Sequence, residues 1–288
     1  MKLATTMGFF YEKGGQEILT PSQTLHTLSQ TGFRQFNYSF NWRPHYNTDA
    51  WREIAEESAE TAAQYGMLFP QAHAPVGDLL HDDEYIELVK RSIEICSIIG
   101  CPCAAMHLHD IPGGPSIAHT KEVWAANKKA LERIIPTLEK YNVALCIENE
   151  FDACAPQPNR RFAFSTAQEI KDFIEYVGHP LLGACLDVGH ANVQHLDVPE
   201  QIHMLGNLLM AVHISDNDGN TDMHTGPFGG SMDFDGIIQA LLDIGYRGAF
   251  AFEAKFMHKP PTSLKVEYNK LLYAAGKYLL EKNGCFEG

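Results

Sequence analysis

The strongest constraint in this sequence is an alternation. Short apolar runs and longer amphipathic ones succeed each other eight times along the chain. The apolar runs cover 3–10, 33–40, 67–73, 104–109, 143–148, 183–187, 209–214 and 249–253. Helix-like stretches lie near 20–31, 49–65, 82–99, 120–141, 166–177, 198–206, 233–244 and 263–282. In the fourth of these, Val123, Ala126, Ala130, Leu131, Ile134, Leu138 and Tyr141 recur at three- and four-residue spacing and form one apolar stripe. Pro136 lacks a backbone N–H and should kink or split that helix, and Asn142 suits its exit. The next strand, Val143-Ala144-Leu145-Cys146-Ile147, is apolar throughout, as a parallel strand covered on both faces must be. Eight βα units over 288 residues predict a single-domain α/β architecture, a (β/α)8 TIM barrel spanning 1–288. The alternative is a doubly wound open sheet. It requires a glycine-rich phosphate loop after the first strand, and Gly14-Gly15 lacks that spacing.

Charge narrows the partners. With 22 Lys+Arg against 36 Asp+Glu, the formal charge of −14 repels polyphosphate, so nucleic acid is disfavoured. No run approaches the ~20 apolar residues of a membrane span. The first residues, Met1 to Thr6, do not have the pattern of a secretory signal. Seven scattered cysteines suit a reducing cytoplasm. Cys101-Pro-Cys103 is better explained as two small buried hydrophobes than as a redox or metal pair. A homo-oligomer is compatible with this size, but no segment identifies an interface.

Function enters at the strand ends. The fifth strand ends in Glu148, the sixth in Asp187 and the eighth in Glu253; the seventh carries His213, and the third and fourth add His73 and His107. In a barrel the C-terminal strand ends converge on one mouth, where chemistry is done. A lone histidine or glutamate at such a place is more often a surface, packing or capping residue. Buried carboxylates, however, are costly unless paired or metal-bound, and their recurrence over consecutive strands has no simple structural cause. Three local clusters add to this. In Asp187-Val188-Gly189-His190 the glycine allows a tight turn between carboxylate and imidazole. His213-Ile214-Ser215-Asp216-Asn217 places a second carboxylate beyond the ligand. Asp222-Met223-His224, ahead of Gly226, Gly229 and Gly230, can fold back over the mouth.

At these residues the chain resembles the xylose isomerase-like TIM barrel superfamily, which includes sugar-phosphate isomerases/epimerases, ketose 3-epimerases, inosose dehydratases and the AP endonucleases of the endonuclease IV type. The matching pieces are Ile147-Glu148-Asn149, Leu186 to Asn192, Val212 to Asp216, Asp222-Met223-His224 with its glycines, and Phe252-Glu253. The resemblance implies that Glu148, Asp187, His213 and Glu253 hold one divalent metal (Mn, Mg, Co or Zn). It implies that Glu148 and Glu253 are also catalytic, as acid and base, and that His190 touches a substrate oxygen. Such chemistry moves a proton next to a carbonyl while the ion stabilises the enediolate oxygen. Substrate-binding candidates are His73, His107, His190, Asp222, His224 and Lys255; whether the histidines and Asp222 grip substrate or add a further ion stays open here.

The expected activity is a metal-dependent isomerase or epimerase of a sugar, polyol or sugar phosphate. The alternatives are an inosose dehydratase-like lyase and an endonuclease IV-like phosphodiester hydrolase, whose larger ligand set this chain matches. Two departures from the ketose 3-epimerases stand out. Asp216-Asn217-Asp218-Gly219 replaces an arginine-bearing loop, and Asn149-Glu150-Phe151-Asp152 lacks their usual substrate-binding pattern. Arg160-Arg161 or Lys255 are the candidates for a substrate phosphate or carboxylate. Charge and loop composition favour sugar chemistry over phosphodiester chemistry.

Overall fold

A computed structural model describes residues 1–10, 19–41, 45–109, 120–151, 162–255 and 260–288. All eight expected strands are present: β1 (Leu3–Thr6), β2 (Gln35–Ser39), β3 (Leu68–His73), β4 (Cys103–Met106), β5 (Ala144–Glu148), β6 (Leu182–Asp187), β7 (Leu209–His213) and β8 (Phe250–Phe252). They form one parallel sheet in the order β7-β6-β5-β4-β3-β2-β1-β8. The ring closes through Ile214, whose N–H donates to Ala251 O at 2.8 Å and whose carbonyl accepts from Glu253 N at 2.9 Å. Strict strand order with closure excludes the open doubly wound sheet.

The helices on the outside are α1 (Pro21–Leu28), α2 (Trp51–Gln64), α3 (Asp83–Ile98), α4 (Thr120–Leu131), α5 (Ile135–Tyr141), α6 (Ala167–Val177), α7 (Val188–Val193), α8 (Val198–Leu205), α9 (Phe234–Asp243) and α10 (Thr262–Lys282). Local chemistry sets their ends. Thr20 and Gln23 form a reciprocal capping box on α1, and Asp82, Thr166 and Asp197 cap α3, α6 and α8. The expected break at Pro136 is seen as the split between α4 and α5, with the proline in the first turn of α5, where its missing N–H costs nothing. Asn142 closes α5 in the left-handed region at φ 52°. The amphipathic pattern did not resolve α7, because six residues are too few to show a stripe.

Strand parity positions the site. On β5, Leu145 and Ile147 pack into the large core beneath the helices, whereas Ala144 and Cys146 join a separate small-residue cluster with Cys103, Ala105, Cys185 and Ala211. These small side chains face the inside of the ring. Because a strand alternates faces with period two, the next inward positions are His107, Glu148, Asp187 and His213. On β8 the same count leads from Ala249 and Ala251 to Glu253. Polar chemistry therefore sits as a layer on top of a bed of alanine and cysteine. The described cysteines are all free, and Cys101 and Cys103 are buried, as expected for packing residues. No described helix is long and apolar enough to cross a membrane.

Candidate metal centre

Glu148, Asp187, His213 and Glu253 come together, with ligand atoms that all lie within 4.8 Å of one another. His213 Nδ1 lies 2.7 Å from Glu148 Oε1 and 2.9 Å from Glu253 Oε2. Asp187 both caps α7 and faces this centre: its Oδ1 accepts the His190 N–H at 2.8 Å, while Oδ2 is buried with no hydrogen-bond partner. Glu148 Oε2 is in a similar position, 3.2 Å from Nε2 of both His73 and His107 but without a well-directed hydrogen bond. Gly189 lies inside α7, so the expected tight turn is a short helix instead. The glycine is needed for another reason: a Cβ there would fall 2.4 Å from Ser215 Oγ.

Two further clusters flank the first, His73 with His107 and Glu148, and His190 with Asp222 and His224. His224 Nε2 is 2.8 Å from Asp222 Oδ2, and His190 Nε2 is 3.9 Å from the same atom. His224 occupies the left-handed region at φ 49°, a costly conformation for a residue with a Cβ. It is held there by the segment just beyond β8, since its carbonyl accepts Lys255 N–H at 2.7 Å and its Nδ1 donates to Glu253 O at 2.9 Å. Asp216, expected as a second carboxylate near His213, instead pins the loop that carries Asp222: it accepts from Gly230 N at 2.9 Å and Met232 N at 3.1 Å. Lys255 does not join the histidines. Its ammonium lies 5.3 Å from the Phe9 ring centre, and its side chain borders an apolar cavity of about 290 Å³ with Pro227, Phe228 and Tyr268. Arg160, Arg161 and Asp152 lie outside the described residues.

One ring nitrogen of every site histidine is occupied by a fixed partner. Nδ1 meets Ala74 O in His73 (2.7 Å), Glu150 Oε1 in His107 (2.7 Å), Asn149 O in His190 (2.7 Å) and Glu253 O in His224 (2.9 Å). Carbonyls and carboxylates only accept, so Nδ1 carries a hydrogen in these four and Nε2 is left to face the centre. Fixing a tautomer this way is how proteins orient metal-ligating imidazoles. His213 is reversed: Nδ1 faces the centre and Nε2 lies 3.0 Å from Asn37 Nδ2.

The electrostatics point the same way. Burial alone would raise the Glu148 carboxyl, but the neighbouring His213 and His107 overcome it and hold it well below the usual carboxylate range. Burial likewise works against Glu253, and His213 again lowers it. Asp187 is pushed up by burial. Burial works against a charge on His213, but Cys185 beneath it and the Glu148 and Glu253 carboxylates hold it well above its ordinary value. Carboxylates this deep are stable only against cations, and two of their oxygens lack a hydrogen-bond partner. The donor set, three carboxylates and one imidazole, fits a divalent ion of the Mn or Mg type or Zn. The cluster is most accessible at His107 and Glu150, whose side chains are 25% and 22% exposed.

Sequence reasoning missed Asn37, Asn149 and Glu150 as parts of this site. Glu150 and Asn149 come directly after the strand-end glutamate, which is a usable signal. For Asn37 the only sign was a polar residue between Phe36 and Tyr38 in a buried strand. Phe151, packed at a tilt against His190 with ring centres 4.5 Å apart, had none.

Several known proteins are similar. The chain is 29% identical over 172 residues to the L-ribulose 3-epimerase of Mesorhizobium japonicum, covering 59% of this chain and 53% of that one. It is 26% identical over 171 residues to the ketose 3-epimerase of Arthrobacter globiformis, covering 58% and 54%. The chain spans about half the length of such relatives. Among solved structures, a D-tagatose 3-epimerase-like protein superposes with a TM-score of 0.75 at 19% identity, covering 98% of this chain and 99% of that one. The family model described as xylose isomerase-like TIM barrel matches residues 25–271, and the chain belongs to that family.

Proposed function

We propose that this chain is a divalent-metal-dependent isomerase or epimerase of a small sugar, polyol or sugar phosphate, working as one barrel domain. The observation that carries this reading is the pair Glu148 and Glu253. They come from strands separated by β6 and β7 in the ring, yet both reach the same nitrogen of His213. The names of the relatives, ketose and L-ribulose 3-epimerases, support the same reaction class.

Glu148, Asp187, His213 and Glu253 would hold the ion. When bound, it supplies Lewis-acid polarisation of a substrate carbonyl, which acidifies the adjacent carbon. The protein's own part is proton transfer. One glutamate, as the carboxylate, would take a proton from a carbon between them, while the other, carrying a proton drawn from solvent, would deliver it to the opposite face; the first then releases its proton to solvent. His190 and His224, with Nε2 inward, would hold substrate hydroxyls, and His107 with Glu150 lies at the entrance. Solvent deuterium should therefore enter the substrate carbon. Glu148→Gln and Glu253→Gln should each slow that exchange by about 10²–10⁴-fold. Absence of exchange in the wild type with every member of a broad ketose and polyol panel would overturn this reading.

A second reading, metal-assisted phosphodiester hydrolysis, draws on one specific observation: the flanking clusters His73/His107/Glu148 and His190/Asp222/His224 have the donors for further ions. Cleavage of abasic-site DNA by the metal-loaded protein, without deuterium exchange, would select it. A dehydrated product in place of a stereoisomer would select the lyase.

A further inference from the structure

Asn37 sits at an inward position of β2, 1% exposed, between the outward Phe36 and Tyr38. Its Nδ2 lies 3.0 Å from His213 Nε2, and its Oδ1 is buried without a hydrogen-bond partner. It differs in kind from the partners of the other site histidines. Those are pure acceptors and permit one tautomer only. A carboxamide offers either a donor or an acceptor, and rotation about its last bond exchanges the two without changing its shape.

The consequence falls on His213 Nδ1. In the neutral ring, the form that can ligate an ion, Nδ2 donating to Nε2 forces the ring hydrogen onto Nδ1, pointing at Glu148 and Glu253, so no lone pair faces the centre. With the amide turned over, the orphaned Oδ1 accepts a hydrogen from Nε2, and the Nδ1 lone pair is presented between the two carboxylates. Only the second arrangement can ligate an ion.

We infer that Asn37 is a positioning residue that selects the tautomer of His213, turning Oδ1 toward Nε2 to release Nδ1 for the ion. This rests on the reading of the four-residue cluster as a metal centre. Asn37 itself touches neither ion nor substrate. Its effect is exerted through one hydrogen bond across the ring from β2 to β7.

The test uses the full chain with nitrogen-15-labelled histidine, as wild type, Asn37→Asp and Asn37→Leu. Mn²⁺ affinity is measured by calorimetry, and the His213 tautomer by long-range proton–nitrogen NMR of the Zn²⁺-loaded protein. Aspartate presents only oxygens, so Asn37→Asp should keep the hydrogen on Nε2 and bind Mn²⁺ within a few-fold of wild type. Asn37→Leu should lose about 10–100-fold in affinity while keeping its far-ultraviolet circular dichroism. Wild-type affinity in Asn37→Leu would overturn the inference. So would an equal loss in both variants, or a Zn²⁺-loaded Asn37→Asp protein with the hydrogen on His213 Nδ1; this last result decides the matter even if the leucine variant does not fold. A wild type that binds neither Mn²⁺ nor Zn²⁺ would instead overturn the metal centre itself.

Discussion

Asn149 clasps Asp187 from both sides of one amide: its Oδ1 accepts the Asp187 N–H at 2.7 Å and its Nδ2 donates to the Asp187 carbonyl at 2.9 Å. The side chain thus extends the β5–β6 ladder by one rung beyond the strand end. Its own carbonyl receives His190 Nδ1. Replacing it by leucine leaves two buried backbone groups unpaired, at a cost of about 3 kcal/mol. The expected result for Asn149→Leu is a lower denaturant midpoint together with a metal affinity about 10–100-fold weaker. Asn149→Asp, which retains one of the two bonds, should fall between the leucine variant and wild type in both measurements.

Removal of the ion should be felt in stability as well as activity. An ion present at 100 times its dissociation constant, and bound only by the folded chain, adds about 2.7 kcal/mol. Chelation should therefore lower the thermal midpoint, and Mn²⁺ should restore it in proportion to the logarithm of its concentration. Elemental analysis of the reconstituted protein should give one ion per chain. A value of three would move the assignment toward the hydrolase.

His224 should make stability depend on pH. Burial opposes its charge, but the hydrogen bond with Asp222 and the nearby Glu253 and Asp187 raise it from 6.5 to about 10. Because the folded value lies above the unfolded one, the stabilisation is complete below about pH 6.5 and is lost as the pH rises through about 10. In the metal-free protein, the difference in thermal midpoint between wild type and His224→Gln should be largest on the acid side and shrink across that interval. A constant difference from end to end would contradict the assignment.

Gly230 tests the loop that carries Asp222 and His224. A Cβ at this position would fall 2.1 Å from the Asn217 carbonyl oxygen and 2.5 Å from Asp216 Oδ1. Backbone cannot swing aside as a side chain can, so Gly230→Ala must displace the loop. A loss of about 2 kcal/mol is expected, with KM raised more than kcat is lowered if the loop holds substrate. Unchanged KM in a folded variant would mean that the 217–232 loop takes no part in binding.

The barrel and the clustering of its strand-end side chains were legible because both leave repeating marks. Eight alternations announce the fold, and a metal-competent side chain at one strand end after another announces the mouth. Pro136 and Asn142 behaved as their backbone chemistry requires. The illegible parts depend on partners far apart in sequence. Nothing local distinguishes Asn37 from any polar residue in a buried strand until His213, 176 positions away, is seen against it. Lys255 was attractive for its place two residues after Glu253, but β8 ends at Phe252, so the strand's alternation no longer sets its direction, and its ammonium leans on Phe9. Asp216 stood out only as a second carboxylate beyond His213, and the structure gives its oxygens to two loop N–H groups.

The inward parity of the strands limits how such a site can change. Glu148, Asp187, His213 and Glu253 are each selected by counting in twos from the small residues below them, so exchanging Glu148 for another side chain alters the chemistry and leaves the scaffold as it was. Adding or deleting one residue in β5 would turn Glu148 outward, and Ile147 or Asn149 would occupy the mouth in its place. New activities can therefore be written onto this barrel by spelling changes at fixed positions, while strand length is held constant by the geometry that makes those positions meaningful.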